Sequence, residues 1–583
     1  RGRFLPEYNV AAPRTEPELG AKFDSVERHR AEKDLGAMRV ANSSFAARYR
    51  KDLALTMLPI VVDAPRWTVL QHWQGDQLGE LVGIAYQPAT LDKHARELKL
   101  AGASGPVRAA MASFWHEREG TPEDETTGAA LVYCDAATKP IWTHAFAKCA
   151  KVSSTNRVMP GTSTLFLHSG AGTPLLYQEY SGTVSVPQRM PELLSAYEAI
   201  AGEGTVRRVV VLDRESHAVW LFKELDARDW TYIVPLRSNV VGPNARFESE
   251  DGSAFEATWA PYGDHGDEVC DGWLWLNDAR KGESAVRSRV VGRRRHRTGK
   301  VSWYATNGVV KEFGASDVVR LYFDRWPLQE HVFRAGSGRV GLDVHHGYGK
   351  RKITDVAVVD KLEKLSGRLR AMRAELAETQ LELETARGRA QPLREEIGKI
   401  EAEVFRRGRE LDAQLSAGEA DQAFREGYRV HRALQESLPR ARQVLATHEQ
   451  VETDLARRVD ALEASIGRAD KERAHLESRV RIFTVDTELD QIMTAYKLTF
   501  MNVCRVLMRE VLGEEMELET LIRGVLTLPG ERVTTPKTET VRIFRQERDP
   551  RSMAAVERGC AYLNAKGLVR GRRTLRFELV DAP

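Results

Sequence analysis

The feature that most constrains the fold is a 3-4 alternation of apolar residues between roughly residues 358 and 482. Apolar side chains recur at 362, 365, 369, 372 and 376, then at 383, 386, 390, 393, 397, 400 and 404, with an interruption at Thr379. A second series runs Val451, Leu455, Val459, Leu462, Ile466, Ala469, Leu476 and Val480. This spacing is the seam of a coiled coil. Ser416-Ala417-Gly418 lies between the series and supplies a turn, so an antiparallel helical hairpin is expected, with arms of roughly 80 Å. Pro392 and Pro439 each remove a backbone donor, which predicts a kink or restart in each arm. Both stand at similar distances from the turn, so one shared bend is expected. Coiled coils are spacers and dimer contacts, so the chemistry must lie elsewhere.

At 583 residues the chain exceeds what one core organises, and three or four domains are expected. The formal net charge is only +3, so overall basicity does not announce a nucleic-acid partner and local clusters must carry that argument. The five cysteines, 134, 149, 270, 504 and 560, are scattered without a CxxC pair. That pattern excludes a disulfide framework or a zinc site and fits a reducing compartment. No window approaches 18 uncharged apolar residues and no signal peptide is evident, so the expected location is cytoplasmic.

Residues 1–125 read as a helical N-terminal region for DNA binding or dimer contacts. Asp76–Gly83 and Pro88–Leu98 there form either a helix-turn-helix or a small packing domain. From 126 to 236, strands and helices alternate as a meander followed by αβαβ, the pattern of a mixed sheet flanked by helices. Residues 237–305 are Gly-rich and lose helical periodicity, which reads as a β-rich insertion. Residues 306–357 return to the core and carry a glutamate helix, the hairpin occupies 358–482, and 483–583 form a helical and mixed C-terminal domain. The fold class is α/β, multidomain.

Two strand-like runs end in a lone aspartate, Ala129–Asp135 and Arg208–Asp213, and Glu330 follows in Tyr322–Arg334. A carboxylate at the end of a buried strand is costly unless it meets a cation or hydrogen-bond donors. Taken singly, each aspartate is as readily a turn or cap residue. Together, Asp135, Asp213 and Glu330 could hold divalent metal against a phosphodiester. Pro327 suits the first turn of a helix that would carry Glu330 one turn in, with Phe333 near the same face. Asp324, Glu312 and Asp343 are rival third acids. The densest basic run, Arg293, Arg294, Arg295, His296 and Arg297 with Lys300, is either a solvated loop or a phosphate contact. Trp273, Trp275 and Trp303 read as core tryptophans of a β domain.

Tyr133-Cys134-Asp135, Val211-Leu212-Asp213, Tyr304-Ala305-Thr306-Asn307 and Tyr322–Glu330 resemble, in that order, the landmarks of bacterial insertion-sequence transposases of the DDE group. That group has an RNase H-like core interrupted by a β-rich insertion. The resemblance covers most of the chain, including the Tyr86–Leu91 region and the hairpin. It implies cut-and-paste transposition, with Asp135, Asp213 and Glu330 holding two Mg²⁺ ions (or Mn²⁺ in their place) that activate water and then a 3′ hydroxyl. It further implies transposon-end inverted repeats and target DNA as partners, a homodimer in a synaptic complex, and a nucleoid-associated location. Tyr322 and Arg325 correspond to the tyrosine and arginine of a motif Y-x-x-R-x-x-x-E-x-x-x-x-x-x-K that contact transposon-end phosphate. Two departures stand out. The step from Tyr322 to Glu330 is one residue longer, with Gln329 at the expected glutamate position, and Ser337 stands where the lysine belongs. Arg334 or Arg339 is the candidate replacement for that lysine. A base-stacking role for Trp303 and its neighbours is likewise implied by the resemblance.

A domesticated descendant that binds or cuts DNA without mobility is the alternative. A chromosome-organising ATPase, suggested by the hairpin alone, is excluded because no GxxxxGK[ST] occurs. Gly292…Gly299-Lys300-Val301 has six intervening residues and no hydroxyl after the lysine.

Overall fold

Alternation of buried side chains builds the core of the computed structural model. The described residues are 45–61 and 88–583, apart from breaks at 121–122, 144–147, 153–154, 203–205, 239, 243–244, 257, 278–284, 348, 419–421 and 547–548. The first half of the expected helix-turn-helix, Asp76–Gly83, and Tyr86-Gln87 lie outside them. The chain divides into two units, one of residues 1–351 with 484–583 and one of residues 352–483.

In the first unit, α1 (Phe45–Thr56), α2 (Pro88–Leu100) and α3 (Ser104–Glu119) precede the sheet. Strands β1 (Ala130–Pro140), β2 (Cys149–Val152), β3 (Arg157–Ser169) and β4 (Pro174–Ser181) follow as a meander. Then come α4 (Val186–Ala201), β5 (Arg208–Val211), α5 (Val219–Ala227) and β6 (Trp230–Pro235). The expected insertion supplies β7 (Phe247–Glu248), β8 (Ala254–Phe255), β9 (Ala260–Tyr262), β10 (Asp267–Leu276) and β11 (Val286–Arg294), and leads into β12 (Val301–Thr306). These strands do not form a separate β body. They extend the core sheet through antiparallel pairing of β12 with β6, giving twelve strands in one mixed sheet.

Residues of opposite parity along the central strands face opposite layers. Val132, Cys134, Val210 and Leu212 pack with Met190, Leu194 and Phe222 of α4 and α5. Leu131, Tyr133, Val209 and Val211 face the other way, against Val318, Val319 and Leu321 of α6 (Ala315–Arg325). That helix continues through a wide π turn at Trp326–Glu330 into α7 (His331–Ala335). The glutamate is therefore not on a new helix begun at Pro327. The proline, which has no N–H to donate, sits inside one helical run whose widened turn accommodates it.

The second unit is the hairpin. Its arms are α8 (Val356–Ser416), capped by Asp355 accepting from the Ala357 N–H at 3.2 Å, and α9 (Gln422–Ser478). Leu365, Leu369, Leu383, Ala386, Ala390 and Ile397 are buried along one arm, and Val459, Ala469 and Leu476 along the other. Thr379, an interruption in the pattern, is also buried at the seam, its hydroxyl donating to the Glu375 carbonyl at 2.8 Å. Neither Pro392 nor Pro439 ends its helix, contrary to a restart at each. Strands β13 (Lys350–Thr354) and β14 (Arg481–Val485) pair at the points where the hairpin leaves and rejoins the chain.

In the first unit, α10 (Glu488–Val506) is buried on nearly all sides. Its Ile492, Met493, Tyr496 and Phe500 share one core with Leu55, Leu91, Leu98 and Met111 of α1–α3, so segments some 400 positions apart in sequence form one helical layer. The C-terminal segment adds β15 (Gly530–Thr534), β16 (Thr538–Phe544), α11 (Pro550–Ala565), β17 (Val569–Arg570) and β18 (Arg573–Val580), with strand order β15-β16-β18-β17. Among the described residues no helix is long and apolar enough to cross a membrane.

Candidate functional site

Parallel pairing of β1 with β5 aligns Tyr133 with Val211. Asp135 and Asp213 each lie two residues beyond that pair, on the face covered by α6. Asp135 is not at a strand end. Strand β1 runs on to Pro140 because β3 still pairs with it, matching Asp135 to Phe166. Strand β5 stops at Val211, which opens the β5 side of Asp135. Asp213 precedes a short turn, Arg214–Ser216, without capping it through its side chain. Asp213 stands at the N-cap position of that turn, where its carbonyl accepts from the Ser216 N–H at 2.9 Å.

One cation meets all three acids. The Arg325 guanidinium lies 3.3 Å from Asp135 Oδ2, 3.6 Å from Asp213 Oδ1 and 3.4 Å from Glu330 Oε1. Arg325 itself is only 8% exposed, and its guanidinium lies 5.5 Å from the centre of the Tyr322 ring. Burial drives the Asp135 carboxyl up to about 6, with Arg325 opposing the shift and the charges of Asp213 and Glu330 adding to it. Arg325 is disfavoured as a cation by burial, yet the carboxylates raise its pKa overall, Asp135 most strongly. Such a site gathers negative charge that a cation must neutralise.

The helix widens into a π turn between Arg325 and Glu330. Arg325 and Glu330 are five residues apart, the spacing of a π turn, and their side chains meet. Gln329, at the position where the motif expects the acid, is fully buried, whereas Glu330 reaches the cluster. The turn is held from behind. The β3–β4 corner packs Gly172 against the Leu328 backbone, and Arg505 of α10 donates to the Gly172 carbonyl at 2.6 Å. Phe333 sits edge-on to Phe166 and His168 of β3, with ring centres 4.8 and 5.1 Å away.

The rival acids point elsewhere. Asp324 pairs with Arg320 at 3.2 Å, and Arg320 also holds Asp124 at 2.9 Å. Glu312 pairs with Arg207. Asp343 lies toward Lys139 and Lys497, whose charges it favours.

The expected DNA-contact residues fall into two groups. Arg293 and Arg294 are engaged within the sheet, by Asp267 at 2.6 Å and Glu268 at 2.6 Å, and they lie over the rings of Phe323 and Trp259. Arg295, Arg297 and Lys300 are exposed on the β11–β12 turn, and Arg334 is exposed on α7. Trp303 packs against Phe247 and Trp259, and Trp275 is 57% exposed. Arg339 lies outside the residues whose side chains are described.

A second cluster has no counterpart among the sequence candidates. Ligand atoms of the buried Glu179, His345 and Asp490 all lie within 4.8 Å of one another, a group able to hold a metal ion. Here, though, Lys139 already supplies a cation, 2.5 Å from Asp490 and 3.8 Å from Glu179, and the Thr162 hydroxyl donates to Glu179. Its members come from β1, β4, α10 and the segment before β13, so no local motif could reveal it.

No family model matches the sequence, and no curated protein does. Among solved structures, the chain is similar to a piggyBac transposase in a synaptic complex with hairpin DNA, determined by cryo-EM. The identity is 12%, the TM-score 0.26, and the match covers 56% of this chain and 62% of that one. The likeness thus spans less than two thirds of that protein.

Proposed function

We propose that the chain is a DNA transposase that cuts transposon ends and joins them to target DNA, using Asp135, Asp213 and Glu330 as its catalytic acids. The observation that carries this reading is the convergence of three carboxylates, from three separate stretches of chain, on one guanidinium. The order β4-β3-β1-β5-β6 supports it, antiparallel through β1 and parallel beyond, as expected of an RNase H-like core. The donor set is all carboxylate oxygen, which fits Mg²⁺ or Mn²⁺ better than softer metals. Bound there, two such ions would activate water or a 3′ hydroxyl and stabilise the leaving oxygen.

The chain's own groups do the positioning. Strand pairing fixes Asp135 and Asp213 at one level, and the π turn sets Glu330 opposite them. Arg325, once released from the carboxylates, presents a planar fork suited to a DNA phosphate, with the Tyr322 ring beside it. The exposed Arg295, Arg297, Lys300 and Arg334 supply further phosphate contacts. In the cut, water adds to phosphorus and the 3′ oxygen leaves as a hydroxyl. In the join, that hydroxyl loses its proton and attacks a target phosphodiester, whose own 3′ oxygen leaves as a hydroxyl, so one ester bond replaces another. A homodimer would bring two ends together.

The DNA flanking the gene is the test substrate, end-labelled and incubated with Mg²⁺ or Mn²⁺. Cleavage should fall on the order of 1,000-fold or more in Glu330→Ala while binding persists, and Asp324→Ala should retain activity. Cleavage surviving in Glu330→Ala, or lost in Asp324→Ala, would show that the third acid is misassigned. Binding without nicking by the native chain would favour a domesticated DNA-binding protein.

A further inference from the structure

The C-terminal four-stranded sheet carries a concentration of positive charge that the proposed chemistry does not use. Its strands β16 and β18 run parallel, with Thr538 opposite Thr574, so both begin at the same end of the sheet. The β15–β16 turn and the β17–β18 turn lie at that end as well, joined by the Thr574 N–H donating to the Lys537 carbonyl at 3.0 Å. Lys537, Arg570, Arg572 and Arg573 therefore gather on two adjacent turns, with Arg532 and Arg576 close behind on the strands. All six are exposed.

The acids do not balance them. Glu539 pairs with Arg570 at 3.1 Å and Arg532 at 3.6 Å, and among the described residues Lys537, Arg572, Arg573 and Arg576 have no acid within ion-pair distance. Arginines elsewhere in the module are paired. Arg551 and Arg558 of α11 meet Glu514, and Arg542 meets Glu531 at 3.0 Å. The surplus is thus confined to one end of the sheet.

The turn geometry makes this an unfavourable arrangement for the module alone. Gly571, with φ +63°, closes a tight turn that sets Arg570 directly opposite Arg573. Like charges facing one another across an antiparallel pair destabilise it. Val569 beside them is 64% exposed. The other side of the module is held by α11, whose Met553, Val556 and Cys560 pack on Ile543, Phe577 and Leu579. The basic end therefore has a rigid support.

We infer that this end of the C-terminal sheet is a second DNA-binding surface, separate from the three-acid site, which grips the phosphate backbone of double-stranded DNA without reading its sequence. Guanidinium and ammonium groups on two adjacent turns, with the hydroxyls of Thr535, Thr538 and Thr574 among them, suit a run of phosphates. The choice of duplex DNA over other polyanions rests on the transposase reading.

The test uses the full chain in EDTA with a labelled duplex of roughly 30 base pairs and arbitrary sequence, titrated from about 50 to about 300 mM KCl. The variant Lys537→Ala/Arg572→Ala/Arg573→Ala/Arg576→Ala should bind at least about tenfold more weakly, and the slope of log affinity against log salt should fall by about 3. A charge-matched control, Arg425→Ala/Arg429→Ala/Arg432→Ala/Arg440→Ala, alters four exposed arginines of the hairpin and should leave the slope within about one unit of native. Melting temperatures of both variants establish that they are folded. An unchanged slope in the first variant, or an equal fall in the control, overturns the proposal. So does loss of binding to phosphatidylserine vesicles with DNA binding intact, which would make the surface a lipid contact. If the native chain cleaves its flanking DNA in Mg²⁺ while the slope is unchanged, only this surface fails. If the native chain neither binds nor cleaves DNA, the transposase reading fails with it.

Discussion

Arg325 is the residue on which the site turns. It was expected as a phosphate contact, and the structure places it as the counter-ion of all three acids. A cation within 4 Å of three carboxylates competes with any divalent ion for the same negative charge. Arg325→Gln should therefore raise Mn²⁺ affinity in the absence of DNA, on the order of tenfold, as read by calorimetric titration. Unchanged Mn²⁺ affinity would mean that the guanidinium and the metal do not share the site. The same variant should bind DNA ends more weakly, because the proposed phosphate contact requires the guanidinium fork. Proximity of these four residues was only partly legible in the sequence. Parity along β1 and β5 sends Asp135 and Asp213 to the layer that holds Tyr133 and Val211. Which helix covers that layer is a tertiary fact.

At the scale of elements, a mixed sheet with flanking helices and a long hairpin were legible from periodicity. What escaped depends on partners distant in the chain. Strand β1 continues past Asp135 because β3 pairs with it, and the insertion strands join the core sheet because β12 finds β6. Lys139, Glu179, His345 and Asp490 are each unremarkable in local sequence and become a buried network only by assembly. The support behind the π turn gives a prediction at this scale. Gly172 has φ +79°, and a Cβ there would stand 2.6 Å from the Leu328 carbonyl oxygen. Gly172→Val should destabilise the chain by about 2–3 kcal/mol, measured by denaturant midpoint. It should also depress cleavage more than Gly202→Val, where a Cβ would meet nothing within 4 Å at a similar φ of +71°. Equal effects of the two would separate the corner from the site.

For the whole molecule, the two units have different kinds of cohesion. The first is held by broad apolar cores. The hairpin has a thin seam, zipped along its flanks by Arg373–Asp470, Arg387–Glu452, Arg394–Glu449, Arg442–Glu401 and Arg458–Glu375. Exposed pairs of this type contribute little individually and are screened by salt. Calorimetry of the full chain should show two transitions. Raising NaCl from about 0.05 to about 0.5 M should lower the hairpin transition by roughly 5 °C and the other by less. A single transition, or equal shifts, would contradict independent cores. Pro392 and Pro439 did not restart the arms, because a hairpin already committed by its seam tolerates the loss of one backbone bond in each.

The widened turn at Trp326–Glu330 has a bearing on how such chains are compared. Adding one residue to an α-helix swings everything beyond it by about 100° around the axis, enough to carry a side chain off its face. A π turn takes up an added residue and cancels that rotation, and Glu330 closes such a turn with its carboxylate beside Arg325. Two proteins can then present the same acid in the same direction under spacings that differ by one. A search that insists on the spacing would assign the role to Gln329, whose side chain is sealed inside the fold.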